Sequence, residues 1–450
     1  MKNFFFSDSI SAIAHHQMNN ETVKKMWHGF CFGQGSLDIR PSDEFVFVIG
    51  QPKMPVLPPE KEFIIHIDED GAAVIARDYS TLVRGFLVML MKIECADDGR
   101  IFMPCMTCKS NYSIKNRMIH ICVFPENDLY FIKKLIRLSA VCQYTHIVIE
   151  FWGMLKYDCL KELSWPHGFT KAQAKELIDE CRDLGLVPIP MFNHLGHATA
   201  SRLILGKHVV LDQNPRLQRL FTPDGWAWNI QSDEVFALLK SIRTELYELF
   251  GKGEYMHLGC DEAYYISRNA ELRGLLPSFL NKLTTAVENE GCRPMIWMDM
   301  LLEKDKFPKC YCCGGEPNEC ENLRQSTAKS TVFVDWQYDA KEAPVLSLES
   351  LKDCGHDVMG APWYNYKPHI ETINKNNLFG LMLTTWHFLN NNLPHIYSCA
   401  KAFGAEDFNW SASSGMHEKT ATIMRRISFE GNTYADCGWS KEQIHLTGTY

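Results

Sequence analysis

Apolar residues come in short runs along this chain, and the rhythm of those runs changes near residue 117. Before that point "EFVFVIG" and "EFIIHIDEDGAAVIARD" are β-rich, and the Glu-Asp-Gly step inside the second predicts a hairpin turn. "YSTLVRGFLVMLMKI" then carries apolar residues at helical spacing. Residues 1–112 therefore read as a small α+β domain with no catalytic cluster.

Over residues 113–404 strand and helix alternate. Candidate strands lie at 118–124, 145–151, 186–192, 254–259, 294–299, 331–336, 357–364 and 380–386, with helical stretches such as "KAQAKELIDECRDLG" and "SDEVFALLKSIRTELYELFG" between most of them. Eight apolar runs alternating with helices predict an α/β fold, a (β/α)8 TIM barrel. The connection from 299 to 331 is rich in Cys and Gly and only weakly helical, which predicts a distorted unit there. Residues 405–450 are polar and irregular and read as a closing segment and tail.

A length of 450 residues suits one large barrel plus a smaller module. Hydrophobic residues at 46 % and charged residues at 22 % are ordinary globular composition and exclude a disordered chain. A net charge of −8 without a long Lys/Arg block argues against a nucleic-acid partner. The 17 cysteines do not form the dense framework of a small secreted domain. Several (Cys122, Cys142, Cys260) sit in apolar runs, where a reduced thiol packs as a small hydrophobe, so a reducing, cytoplasmic setting is expected. "MKNFFFSDSISAIAHHQ" is interrupted by Asp8 and makes a poor secretory signal. No apolar run reaches the roughly 18 residues of a membrane span. The oligomeric state has no sequence signal.

A TIM barrel keeps its chemistry at the C-terminal ends of its strands. Strand two ends in Glu150, Phe151 and Trp152, and strand three runs into "NHLGH" with Asn193, His194 and His197. Strand four ends in Asp261 and Glu262, and strand five in Trp297 and Asp299. Strand six ends in Asp335, Trp336 and Tyr338, strand seven in Trp363 and Tyr364, and strand eight in Trp386 and His387. Tryptophans gathered with carboxylates at one mouth suit a sugar, whose C–H face stacks on rings while its hydroxyls need acceptors.

The adjacent acids are the sharpest feature. Within a regular strand Asp261 and Glu262 would face opposite ways, but past the strand end the chain turns and both can face the mouth. Two carboxylates so close cannot both ionise cheaply, so one pKa is expected to rise, as a general acid requires. Glycosidases with two working carboxyls hold them across the ring at roughly 5–5.5 Å or about 6.5–9.5 Å, which neighbours in sequence cannot do. If Glu262 is the acid, the nucleophile comes from another strand end, such as Asp299 or Asp335, or from the substrate itself.

"HLGCDEA" resembles the His-x-Gly-Gly-Asp-Glu signature of family 20 glycoside hydrolases, the β-N-acetylhexosaminidases, with Cys260 in place of the second Gly. "DGAAVIARDYSTLVRGFLVMLMKI" looks like the module preceding that family's barrel, "VPIPMFNHLGHAT" like its third-strand segment, "IWMDM" like its Trp-x-Asp, and "APWY" like its seventh-strand tyrosine. The resemblance implies exo-acting removal of a terminal N-acetylhexosamine, GalNAc or GlcNAc, from a glycoconjugate. The substrate's own 2-acetamido oxygen attacks the anomeric carbon to give an oxazolinium, with net retention. It also implies roles: Glu262 as acid and then base, Asp261 on the acetamido N–H, and Tyr364 on the acetamido oxygen. Trp297, Trp336 and Trp386 become aromatic walls, with Asp299 beside them in the substrate site. His197 positions the acid, with Glu150 as its carboxylate partner. No metal or cofactor is expected.

Three positions depart from the pattern. Strand one, "MIHICVFPEND", lacks the Arg that grips sugar hydroxyls, and Tyr366 and Phe388 stand where the family has acids. The missing Arg is shared with the hexosaminidase D-like branch, which "RMIHICVF…HIVIEFWGMLKY" resembles most. Other readings of the same residues are a metal-dependent hydrolase using His194 and His197, an inactive glycan-binding barrel, and a zinc site built from "CMTC" and "CYCCGGEPNEC".

Overall fold

The computed structural model describes residues 2–7, 9–198, 211, 213–307, 310–386, 389–406 and 415–428. Eight parallel strands close into a barrel in sequence order: Asn116–Cys122, His146–Glu150, Val187–Met191, Tyr255–His257, Arg293–Trp297, Val332–Asp335, Asp357–Gly360 and Gly380–Thr385. The last pairs with the first, Asn116 opposite Gly380. All eight runs expected to be strands are strands. Their central residues are fully buried, as parallel strands covered on both faces must be.

The connecting helices begin where side chains satisfy the free N–H groups of the first turn. Thr170 and Gln173 form a capping box on Lys171–Asp183, and Ser232 caps Asp233–Phe250. The loose connection after strand five holds a short 3-10 turn, Asp299–Leu301, and one helix, Pro317–Ser326.

Ahead of the barrel lies a six-stranded sheet in the order Ser36–Ser42, Ser9–His15, Val46–Gly50, Gly71–Ala76, Phe63–Asp68, Met106–Lys109. The expected hairpin is there: Asp68 pairs with Gly71, and Asp68 Oδ1 accepts from the N–H groups of Asp70 and Gly71 at 2.9 and 3.1 Å. Helix Tyr79–Leu90 packs on this sheet as its spacing predicts. A second helix, Glu21–Phe30, was not predicted: its apolar stripe of Val23, Met26, Trp27 and Phe30 is diluted by Lys24, Lys25 and His28. The helix Met416–Ile427 packs against it, with the Arg426 guanidinium 4.7 Å from the Phe32 ring centroid.

The sheet is tied to the root of the barrel by a half-buried charge pair. Arg117 opens strand one, is fully buried, donates to both Glu62 carboxylate oxygens at 3.1 and 3.2 Å, and lies 3.7 Å over the Tyr112 ring. Among the described residues no helix is long and apolar enough to cross a membrane.

Candidate active site

The answer to how two neighbouring acids share one site lies in the backbone after strand four. The strand ends at His257, and Gly259, Cys260 and Glu262 then take φ values of 66°, 73° and 51°. Leaving the pleat this way breaks the alternation that would send the two carboxylates apart. Both reach one imidazole: His197 Nε2 is 3.3 Å from Asp261 Oδ2 and 2.9 Å from Glu262 Oε2. His197, at φ 54°, is itself left-handed.

A left-handed non-glycine residue costs on the order of 1–3 kcal/mol and persists only where its surroundings over-determine it. For Glu262 they do. Its N–H donates to Asp299 Oδ2 at 2.8 Å, and its carbonyl accepts from Trp226 Nε1 at 2.6 Å. Trp226 also lies against His197, ring centroids 4.4 Å apart. Gly259 is required: a Cβ there would sit 2.1 Å from Asn193 Oδ1 as well as at positive φ.

Asp299 and Asp335, the strand-end acids considered as nucleophiles, have both carboxylate oxygens engaged. Asp299 Oδ1 accepts from Trp336 Nε1 at 3.1 Å while Oδ2 holds the Glu262 N–H. Asp335 accepts from Ser347 Oγ at 2.6 Å and from Gln337 Nε2 at 3.2 Å. Burial and the neighbouring Asp261 charge push Asp299 up to about 8, and burial raises Asp335 to about 6.

The Asp299 shift has a consequence for stability. In the unfolded chain this carboxyl ionises near its ordinary value, whereas in the fold it keeps its proton to about 8. Between roughly pH 4 and 8 the native state therefore binds more protons than the unfolded one, so this group makes stability fall as pH rises. Thermal midpoints measured across that window are expected to fall less steeply for Asp299→Asn than for the native chain. Parallel curves would show that Asp299 titrates normally.

The remaining residues divide between floor and rim. Trp297 and Trp386 are buried at the top of the barrel, ring centroids 6.3 Å apart, and so form a floor more than walls. His120, on strand one, lies 4.6 Å from Trp386, and its Nε2 is 2.9 Å from Glu150 Oε2; Asn193 Nδ2 donates to the other Glu150 oxygen at 2.6 Å. Glu150, expected as the partner of His197, is buried and held by His120 and Asn193. Trp336 is half-buried, and its ring approaches Tyr338 at 5.2 Å. Tyr338 accepts from Trp386 Nε1 at 2.7 Å and packs edge-on to Trp363 at 5.8 Å. Tyr364 stands at the rim, 40 % exposed, stacked on Trp363 at 4.3 Å. His387 and Phe388 lie outside the described residues.

The residues that sequence reasoning missed come from connecting segments. Trp226 belongs to "DGWAW" in the long stretch after strand three, Tyr264 opens the short helix Tyr264–Arg268 after strand four, and Tyr311 lies in the loop after strand five. Of the proposed metal-ligand pair, His194 is buried, its Nδ1 2.6 Å from the Phe192 carbonyl, and burial pushes it down to about 3. Among the described residues the one group with metal-ligand spacing is His197, Asp261 and Glu262, whose ligand atoms lie within 4.8 Å of one another.

A family model described as the catalytic domain of glycosyl hydrolase family 20 matches residues 153–377, half of the sequence. The chain belongs to glycosyl hydrolase family 20. The matched region of this family 20 chain holds His197, the acid pair, Asp299, Trp336 and Tyr364, while Glu150 and Trp386 flank it. Bovine hexosaminidase D is 25 % identical over 171 residues, 35 % of this chain and 47 % of that one, so the chain spans about half the length of the curated relative it matches. Two solved structures share the fold. An exo β-N-acetylglucosaminidase from Vibrio harveyi, in complex with N-acetylglucosamine, is 13 % identical with a TM-score of 0.65, covering 95 % of this chain and 75 % of that one. The N-acetyl-β-hexosaminidase of Streptomyces plicatus is 12 % identical with a TM-score of 0.64, covering 94 % and 91 %.

Proposed function

We propose that this family 20 chain is an exo-acting, retaining β-N-acetylhexosaminidase that uses the substrate's 2-acetamido group as its nucleophile. The observation that carries the reading is the shared hold of His197 on Asp261 and Glu262, with no spare carboxylate on Asp299 or Asp335 to attack the sugar. Glu262 protonates the leaving oxygen and later takes a proton from water. Asp261, 4 % exposed, orients the acetamido N–H and offsets the positive charge of the developing oxazolinium. His197 fixes both carboxylates, Trp297, Trp336 and Trp386 bound the sugar, and the exposed Tyr364 reaches the acetamido oxygen. Membership of the family and the names of bovine hexosaminidase D and the two solved enzymes support the same substrate class.

The test is turnover of nitrophenyl β-GlcNAc and β-GalNAc with and without a thiazoline that copies the oxazolinium ring. Hydrolysis with competitive inhibition, and a Ki at least 10²-fold below KM, is the expected result, since transition-state mimics bind on the order of 10²–10⁸-fold tighter than substrates. Activity that ignores the thiazoline would require a carboxylate nucleophile instead. The spacing of His197, Asp261 and Glu262 also admits a divalent cation, so a chelator is the second arm. Activity lost to chelation and restored by zinc would replace this reading with that of a metal-dependent hydrolase.

A further inference from the structure

Four aromatic side chains run along the lip of the barrel on the strand-four and strand-five side, past the carboxyl of Glu262. Trp226, against His197, has its ring centroid 5.8 Å from Tyr264. Tyr311 Oη donates to Tyr264 Oη at 2.6 Å, and the Tyr311 ring lies 5.0 Å from Trp336. The series therefore joins the Glu262 backbone anchor, Trp226, to the Asp299 anchor, Trp336, around the outside of the acid. It also opens outward: Trp226 is buried, Tyr264 half-buried, and Tyr311 40 % exposed.

We infer that Tyr264 and Tyr311 form the platform for the leaving half of the substrate, and that this half is a second pyranose ring. The inference rests on the hexosaminidase reading and adds what lies beyond the scissile bond. The argument is one of direction. The bond breaks at the oxygen that Glu262 protonates, so the departing group must lie on the outer side of Glu262, away from the Trp297–Trp386 floor. What the chain offers there is a pair of phenol rings with their hydroxyls locked together. Ring faces of that kind stack on the axial C–H groups of a sugar, and a hydroxyl pair offers it hydrogen bonds at the edge. Burial and the nearby Glu262 charge push the Tyr264 phenol far above its ordinary value, and burial also raises Tyr311, so both remain O–H groups throughout the working pH range. Tyr311 comes from the Cys-rich "CYCC" stretch, which is pinned to the site two residues on, where the Cys313 N–H donates to the Asp299 carbonyl at 2.7 Å.

The experiment compares Tyr311→Ala and Tyr311→Phe with the native chain on two substrates. One is a β-linked N-acetylhexosaminyl disaccharide, and the other is the corresponding N-acetylhexosaminyl fluoride, whose leaving group is one atom. Tyr311→Ala should lower kcat/KM for the disaccharide about tenfold or more, mostly through KM, with fluoride turnover within about twofold of native. Tyr311→Phe keeps the ring and should keep most of the disaccharide activity. Equal losses on both substrates, or no loss on either, would overturn the platform while leaving the hexosaminidase intact. A native chain inactive on both would overturn the underlying function, and the platform with it. Fluoride turnover doubles as the control for folding.

Discussion

Glu262→Gln is expected to lose activity by a factor that depends on the leaving group. Glutamine fills the same space and leaves the backbone of residue 262 unchanged, so its anchors at Asp299 and Trp226 should survive. What disappears is the transferable proton. General acid catalysis contributes about 10²–10⁴-fold, and it counts most where the departing oxygen is a poor leaving group. For a disaccharide, whose leaving group is a sugar hydroxyl, kcat/KM should therefore fall by roughly 10³ or more. For a dinitrophenyl glycoside the first step hardly needs the acid, and its kcat/KM should fall much less. Its kcat should still drop, because the second step needs Glu262 as the base on water. Equal losses in kcat/KM on both substrates would mean that Glu262 binds the sugar and carries no proton. A variant as active as the native chain would make the barrel a glycan-binding protein or move the chemistry elsewhere.

That prediction was within reach of the sequence, and the contrast with what was not is instructive. The barrel strands announce themselves because a strand covered on both faces must be apolar throughout, and eight such runs leave few alternatives. The acid pair is visible because it interrupts one of those runs at its end. The fate of Asp299 was only half visible. As a strand-end acid it was a fair candidate nucleophile, but its oxygens are taken by a backbone N–H and an indole, partners 37 residues away in each direction. Trp226 and Tyr311 lie in loops and Tyr264 in a helix of five residues, too short to show a period, so nothing in the sequence says that they meet. The missing Arg of strand one was read as a loss. The structure puts a buried pair, His120 with Glu150, at that side of the barrel, with the His120 ring against Trp386. A partner on the neighbouring strand cannot be read from spacing along one strand.

The second large effect follows from how closely the strand-three loop meets the strand-four loop. A Cβ on Gly196 would lie 1.9 Å from the Asp261 carbonyl oxygen, 3.0 Å from the Glu262 carbonyl carbon and 3.1 Å from the Ala263 nitrogen. All three are backbone atoms, so no side chain can swing aside to make room. Gly196→Ala must therefore push the two loops apart, and each carries part of the site. Residue 197 supplies the imidazole and residues 261 and 262 the carboxylates, so the contacts at 3.3 and 2.9 Å stretch together. Misplacing reacting groups by about 1 Å can cost on the order of 10²-fold, and a loss of that size in kcat is expected. Overpacking of this kind also costs about 1–3 kcal/mol of stability, which a thermal midpoint will register. Gly274 supplies the control: it lies exposed in helix Ala270–Asn289, and a Cβ there meets nothing within 4 Å. Gly274→Ala should keep full activity and gain about 0.5–1 kcal/mol, as alanine does over glycine in a helix. If Gly196→Ala instead turns over substrate at the native rate, the two loops do not pack as described. The joint hold of His197 on the acid pair would then not be what aligns the chemistry.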